Sequence, residues 1–480
     1  MAIDPEILKV IPSGCKVNWN GKVGRYYVYK SKYTYDPEKK RSREVRTQIG
    51  TVVDGKFHPA KRYQLQQKVK SLQESEALAR AKAGETAKEG AAPVLDSARR
   101  LEDPRNQARI TYRLDYVCLV ALLASLSGLT SCVQISEYWA SSRPALEKIF
   151  SDFPKADISH DTVRRLFMLI DPAKSSAFYK RLVYPLLREF QSRVVAVDGQ
   201  AVRASKNESV PSGRYILSFY DTDNGVTLSQ RLIGSKENEI THAASMISGL
   251  NLQGCVVTAD ALNTQRNFAD SLVRAGADYC LAVKENQKNL YYDTRLAFLD
   301  KAETRTKVLY ENSGLAHGRI ETRSVRVLPG TVLGKSHTNL WTGLEEGSLI
   351  NARTESTDKK TGLNSCLDRF FISSLRWDNP RIAEQAMRAV RRHWAVENEL
   401  HYVLDVDFLQ DWAQCKNAQY LYNRVLLDKL GHALMNKIQA LESAETGKEP
   451  ASKRSLMTRF RDATFSLTQL ARLFSADSHA

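Results

Sequence analysis

Val194-Val195-Ala196-Val197-Asp198-Gly199-Gln200 is the stretch on which the fold turns. Four small apolar residues in a row, mostly β-branched, suit a short strand buried on both faces, and Asp198-Gly199 marks its end. Downstream, Tyr215 to Tyr220 and Val226 to Ile233 read as two further strands, joined by the turn Asp221-Thr222-Asp223-Asn224-Gly225. A helix is expected from about Glu239 to Leu250. Cys255 to Thr258 follows as a fourth strand running into Ala259-Asp260, then another helix, then Tyr279 to Val283 as a fifth strand. Three strands in hairpin succession, followed by alternating helix and strand, is the element order of an RNase H-like mixed sheet in an α/β protein.

Working outward, Arg305 to Ser374 is strand-like and turn-rich, an insertion in that sheet, and the helical pattern resumes at Pro380 and runs to about Ile438. The last forty residues interleave Lys453, Arg454, Arg459, Arg461 and Arg472 with Leu456, Phe460, Phe465 and Leu470, a basic amphipathic tail. Upstream of the core, Leu119, Leu122, Leu123 and Leu126 recur at helix spacing, and Ser159-His160-Asp161-Thr162 is a capping signal. At the start, Tyr27, Tyr29, Tyr33 and Tyr35 share the parity of one strand face, Asp36-Pro37-Glu38-Lys39-Lys40 reads as a turn, and Val45 to Val53 leads into an Asp54-Gly55 hairpin signal. Gly84 to Pro93, rich in Ala, Gly, Glu and Lys, reads as a linker. The expected organisation is a β-rich basic N-terminal domain over 1–83, a linker over 84–102, a helical domain over 103–190, and a core split into 191–304 and 376–440. A β-rich insertion over 305–375 separates the two core segments, and a basic tail over 441–480 follows them.

Composition narrows the function. The chain of 480 residues carries a net charge of +16, and its first hundred residues hold 21 Lys and Arg against 11 Asp and Glu. Such a surplus favours a polyanionic partner, nucleic acid or an acidic membrane surface, over the plainer reading of a solubilising surface only in company with other signals. The longest apolar stretch, Tyr116 to Leu129, is broken by Ser125, Ser127 and Gly128 and reads as a buried helix; no membrane association is expected. The N-terminus lacks the pattern of a secretory signal, and the seven scattered cysteines form no C-x-x-C pair, so a cytoplasmic protein is expected.

The chemistry-bearing candidates are carboxylates. Asp198 and Asp260 each follow an apolar strand, where open α/β folds place their sites. Two adjacent strands ending in Asp would bring like charges together, an arrangement that asks for a cation, and Mg2+ suits it as a hard ion taking one or two carboxylates. A turn former or helix cap is the alternative for either residue alone. A third candidate lies in Arg391-Arg392-His393-Trp394-Ala395-Val396-Glu397-Asn398-Glu399-Leu400-His401, where His393, Glu397 and His401 share a helix face. A metal-binding helix and a buried polar network are both open readings of that stripe. Asp405 and Asp407 are further carboxylates.

From about Asp103 to Lys437 the sequence resembles the H-repeat-associated (ISAs-type) family of insertion-sequence DDE transposases. The resemblance is carried, in order, by Asp103-Pro104-Arg105, Ser159-His160-Asp161-Thr162, Val197-Asp198-Gly199-Gln200 with Arg203, and Glu237-Asn238-Glu239-Ile240. It continues through Val257-Thr258-Ala259-Asp260-Ala261, Ala282-Val283-Lys284-Glu285-Asn286-Gln287, His317-Gly318-Arg319-Ile320-Glu321-Thr322-Arg323 and Phe371-Ile372-Ser373-Ser374-Leu375. It ends on His393 to His401 with Leu404-Asp405-Val406. Departures from the pattern are Gln200 where Lys is expected, Glu285 where Gly is expected, and Asp411 in place of an acidic pair. The first ninety residues also resemble, through Tyr33 to Lys40 and Ile49-Gly50, an N-terminal region of other insertion-sequence transposases, which implies DNA binding.

The resemblance implies a DDE triad of Asp198, Asp260 and Glu397 holding two Mg2+ (or Mn2+) ions, with Asp198 bridging them, for cleavage at transposon ends and strand transfer into target DNA. Double-stranded DNA is the implied partner, in a homodimer or larger synaptic complex, nucleoid-associated when bound. Arg203, Lys284, Arg319, Arg323, Arg391, Arg392, His393 and His401 are candidates to meet the nucleic acid. Trp341 is the candidate to stack on a flipped base, with a core role as its alternative. Three rival functions stand beside this one: a nuclease without strand transfer, a domesticated transposase-derived DNA-binding protein, and a soluble metallohydrolase using His393, Glu397 and His401.

Overall fold

The computed structural model describes residues 5–21, 23–36, 41–61, 63–64, 81–188, 193–206, 208, 210–211, 213–233, 239–300, 307–316, 319–412 and 416–476. Pro37 to Lys40, Glu237-Asn238 and His317-Gly318 of the motifs above lie outside them.

Near the N-terminus, β1 (Lys16–Asn20), β2 (Arg25–Asp36), β3 (Arg41–Val53) and β4 (Lys56–Pro59) form an antiparallel four-stranded sheet in sequence order. Its small core is Val28, Ile49, Val52 and Tyr63. Val28 has the opposite parity to the tyrosines, so Tyr33 is left exposed. The Asp54-Gly55 signal is realised as a two-residue turn with φ of 49° and 70°, the left-handed pair that a tight hairpin with right-twisted strands requires.

The expected linker is instead a helix, Ala81–Arg99, and its Ala87, Ala91, Val94, Leu95 and Ala98 are buried. Small residues serve contact here rather than flexibility. A side chain at Gly90 would run into the Leu467 backbone, so the glycine lets the Ala463–Ala476 helix approach closely. The same contact corrects the reading of the C-terminus as a tail. Leu456, Phe460, Leu467 and Leu470 are fully buried, Arg454 and Arg459 are exposed, and Lys453 turns inward to His432 Nε2 at 2.9 Å. Between them lies the helical region of Leu114–Leu126, Cys132–Ile149, His160–Leu169 and Pro172–Val183. Ser131 closes a capping box with Gln134, and Ser159 accepts from the Thr162 amide at 3.2 Å, each cap contributing about 1 kcal/mol to its helix.

The core sheet has nine strands. In chain order they are β5 (Val194–Val202), β6 (Arg214–Asp221), β7 (Val226–Ile233), β8 (Val256–Ala259), β9 (Asp278–Val283), β10 (Lys307–Ala316), β11 (Arg319–Pro329), β12 (Ser348–Asp358) and β13 (Asn364–Ser373). They are arranged β10-β11-β12-β13-β9-β8-β5-β6-β7. The first five strands have the RNase H-like arrangement, with β5, β6 and β7 antiparallel neighbours and β8 and β9 added parallel to β5. The inserted strands extend the same sheet, since β13 pairs antiparallel with β9.

Two helical elements cover one face of this sheet near its centre. Ile382–His393 packs its Ile382, Ala386, Met387, Ala389 and Val390 against Val256, Cys280, Val325, Ile350 and Phe371. The long helix Ala418–Thr446 lies over β7 and β6, with Lys429 reaching Ser218 and Gln230 reaching the Tyr422 carbonyl.

Candidate active site

Register places the two aspartates. β5 and β8 are parallel, with Val197 opposite Ala259, so Asp198 and Asp260 are the next residues on neighbouring strands. β5 does not stop at Asp198 as the sequence suggested; it runs on to Val202 paired with β6, while β8 ends at Ala259. Strand spacing of about 5 Å sets the backbone separation. Two ionised carboxylates that close would repel by about 3 kcal/mol at an effective dielectric of about 20, so a cation is the natural third party.

Both aspartates share the face covered by the 382–393 helix. Thr258 has the parity of Asp260, and its hydroxyl lies 3.0 Å from His393 Nδ1. Burial pushes His393 down to about 4, against the opposing pull of Asp260. Asp260 also shapes its own turn, accepting from the Asn263 amide and side chain at 3.2 Å each, as the cap reading expects.

After His393 the backbone widens into a π-helical turn, Val396–His401, which lies against β5. Val396 and Leu400 anchor it in the core, leaving Glu397 and Glu399 exposed. At its end His401 is buried, with Nδ1 3.5 Å from Asp198 Oδ2, and burial together with the Lys429 charge pushes its ring down to about 3. Both histidines are therefore neutral near pH 7. Glu397 lies one turn before His401, on the same side of the sheet as the aspartates. Glu399 points elsewhere, 3.3 Å from Arg392.

Among the described residues, no set of three or more His, Cys, Asp and Glu side chains converges closely enough to hold an ion. Backbone register puts the two aspartates on neighbouring strands, and Glu397 is exposed on the turn packed against β5. The donor chemistry fits a hard divalent ion, with carboxylates paired on adjacent strands and a further exposed carboxylate beside them. In the stripe of His393, Glu397 and His401 the two histidine rings turn to Thr258 and Asp198, as a buried polar network would.

Of the remaining candidates, Arg203, Lys284, Arg319 and Arg391 are exposed cations. Arg203 donates its amide to Asp411 at 2.9 Å. Arg392 is a structural pin: its guanidinium bonds the Thr222 carbonyl and hydroxyl in the β6–β7 turn. Arg323 pairs with Glu321. His393 and His401 are buried against the sheet rather than presented to a ligand. Trp341 is 2% exposed, a core residue that offers no ring face to a base.

Several participants were not anticipated. A groove of about 630 Å³ opens beside Asp260, lined by Lys284, Asn286, Tyr291 and Arg369 among others, and the Arg369 guanidinium lies 5.0 Å from the Trp394 ring centroid. Gln200, the departure from the expected Lys, donates to Asp405 at 3.0 Å. Lys429 is buried and donates to Ser218 Oγ at 2.6 Å. Its signal was available, as a charged Asp428-Lys429 pair inside the otherwise apolar run Val425 to Leu430.

Comparison with known proteins follows this geometry. A family model for "Transposase DDE domain" matches residues 189–427, and one described as "DDE_Tnp_1-associated" matches 95–182. The chain is similar to the "H repeat-associated putative transposase YhhI" of Escherichia coli (strain K12), 27% identical over 334 residues, or 68% of this chain and 86% of that protein. It is 30% identical over 276 residues to a Xanthobacter autotrophicus protein described as "Uncharacterized protein in dhlA 3'region", covering 57% of this chain and 92% of that one. A solved piggyBac transposase synaptic complex with hairpin DNA aligns with a TM-score of 0.39 at 12% identity, over 82% of this chain and 84% of that one. No helix among the described residues is long and apolar enough to cross a membrane. The chain belongs to the transposase DDE domain family, and H repeat-associated proteins of Escherichia coli are among its relatives.

Proposed function

We propose that this chain is a metal-dependent DNA transposase that cuts at transposon ends and joins the freed end to target DNA, with Asp198, Asp260 and Glu397 as its catalytic carboxylates. The observation that supports the reading is the β5–β8 register, which pairs Val197 with Ala259 and so puts the next residues, Asp198 and Asp260, on neighbouring strands, with the turn that carries Glu397 packed against β5. Two Mg2+ or Mn2+ ions, when bound, supply activation of the attacking oxygen and stabilisation of the leaving one in an in-line displacement. Asp198 and Asp260, fixed by the ladder, would hold them from the sheet side, and Glu397 from the helix side. Lys284, at the rim of the groove beside Asp260, and the exposed Arg203, Arg319 and Arg391 are suited to track phosphates. The buried apolar layer under β5 and β8 keeps the carboxylates from shifting as charge develops.

The test is an assay with terminal-repeat DNA and Mg2+ that resolves end cleavage from strand joining. Joined products support the proposal. Cleavage without joining would make the protein a nuclease, and binding without cleavage would make it a domesticated DNA-binding protein. DNA and a dimeric or larger synaptic assembly are the proposed partners, with action at the nucleoid.

A further inference from the structure

His401 stands where the nucleic-acid reading placed a phosphate contact, yet its side chain is only 12% exposed and faces Asp198. Its Nε2 is buried and finds no hydrogen-bond partner among the described residues. On the sheet, Ser218 is directly opposite Asp198 in the β5–β6 ladder, and Ser218 accepts from the buried Lys429 ammonium. Nδ1 is thus the ring atom that faces Asp198, at 3.5 Å, while Nε2 is turned into the buried interior.

We propose that His401 is a positioning residue for Asp198, orienting its carboxylate through Nδ1, with Lys429 bracing the opposite strand through Ser218. This deepens the proposed function and rests on Asp198 being a metal ligand. A carboxylate free to rotate about its two side-chain torsions must be ordered each time an ion arrives. One held by a buried ring is ordered in advance. The π-helical turn explains why the ring reaches: the extra residue per turn swings the C-terminal end of 396–401 onto β5, while Leu400 stays in the core.

The experiment is Mn2+ binding to the full-length chain, followed by loss of the free-ion EPR signal, alongside thermal melting and binding to end DNA. In His401→Asn the amide nitrogen reaches the position of Nδ1; in His401→Gln it reaches that of Nε2. Asn should bind Mn2+ within about threefold of the parent, while Gln and His401→Phe should weaken it about ten- to a hundredfold, with DNA affinity unchanged. A merely structural histidine would not separate Asn from Gln in this order. Equal Mn2+ affinity in the Asn and Gln variants, or parental affinity in the Phe variant, overturns the positioning role. Asp198→Ala tells the two readings apart. If it abolishes uptake while Gln and Phe do not weaken it, only the role of His401 falls; if it leaves uptake unchanged, the carboxylate site itself falls, and this inference with it.

Discussion

Asp198 stands on a hydrogen-bonded ladder and Asp260 directly follows one, each preceded by a residue that is almost completely buried, whereas Glu397 stands on an exposed turn of π-helix held to the sheet by Val396, Leu400 and the side chain of His401. The sheet side is fixed by backbone pairing that no rotamer change can disturb. The helix side is fixed by packing at its two apolar positions, and the residues between them, Glu397 to Glu399, face outward without a strand partner. An enzyme that must admit a duplex and then close on it has use for one rigid wall and one adjustable wall.

The sharpest break of this comparison is chemical. Asp198→Ala, Asp260→Ala and Glu397→Ala should each lower end cleavage by at least about a thousandfold in a single-turnover assay, while gel-shift affinity for DNA stays near the parent value. Affinity comes from Lys and Arg contacts to phosphate, and loss of binding in all three would sink the separation of roles. Lengthening or shortening the side chains sharpens the contrast. On the rigid side, Asp198→Glu should be as inactive as Ala, because the ladder cannot retreat by a methylene. On the adjustable side, Glu397→Asp should retain measurable cleavage, down about a hundredfold. Equal tolerance at both positions would mean the two walls do not differ.

The legibility of these regions in the sequence differs for the same reason. β5, β8 and β9 are continuous apolar runs because they are buried on both faces, and the reading set β8 and β9 within one residue of the structure. β5 was found but read too short, since its far half, Gly199 to Val202, pairs with β6 alone and loses the apolar signature. The pair of aspartates stands out at strand ends and Glu397 in a stripe with His393 and His401, but its role as third carboxylate comes from the family resemblance, because an exposed glutamate on a helix has no pattern that assigns it one. The linker and tail misreadings share a cause. Ala81–Arg99 and the C-terminal helices bury each other, and a contact across most of the chain leaves only Ala, Gly and scattered leucines at the local level. His401 was legible as a polar residue on an interesting stripe; which wall it faces is decided by a π-turn that sequence spacing does not announce.

The rigid wall depends on packing as well as pairing, and Trp341 tests that. It is buried with Leu344 and Leu349 in the main core, so Trp341→Ala should cost about 3–5 kcal/mol in chemical denaturation, with cleavage per folded molecule nearly unchanged at low temperature. A stable variant that fails to cleave would restore the base-stacking reading. A smaller effect is expected from the N-terminal sheet, whose Lys61 lies 3.8 Å from the ring centroid of Trp412, next to the Asp411 that holds Arg203. Removal of residues 1–80 spares the Ala81–Arg99 helix and should leave the core folded. The logarithmic salt slope of binding to transposon ends should become shallower. An unchanged slope would detach that sheet from DNA.

The smallest expected effect is the most discriminating, because it asks whether the helix side acts through one residue or through its general charge. Glu399 is on the same π-helical turn as Glu397, equally acidic and also exposed, but two positions along, so it leaves the helix on another face. Its carboxylate pairs with Arg392, which in turn holds the β6–β7 turn through Thr222, and its carbonyl accepts from His432 Nε2 at 2.8 Å. An exposed ion pair of this kind is worth about 0–1 kcal/mol, and alanine keeps the carbonyl. Glu399→Ala should therefore cleave within about twofold of the parent and melt within roughly 2 °C of it. If the adjustable wall worked by diffuse negative charge, Glu397→Ala and Glu399→Ala would each lose a similar part of the activity. If Glu399 proved essential and Glu397 dispensable, the π-turn would present its other face to the substrate, and the third carboxylate would have to be reassigned while the two aspartates on the ladder stood.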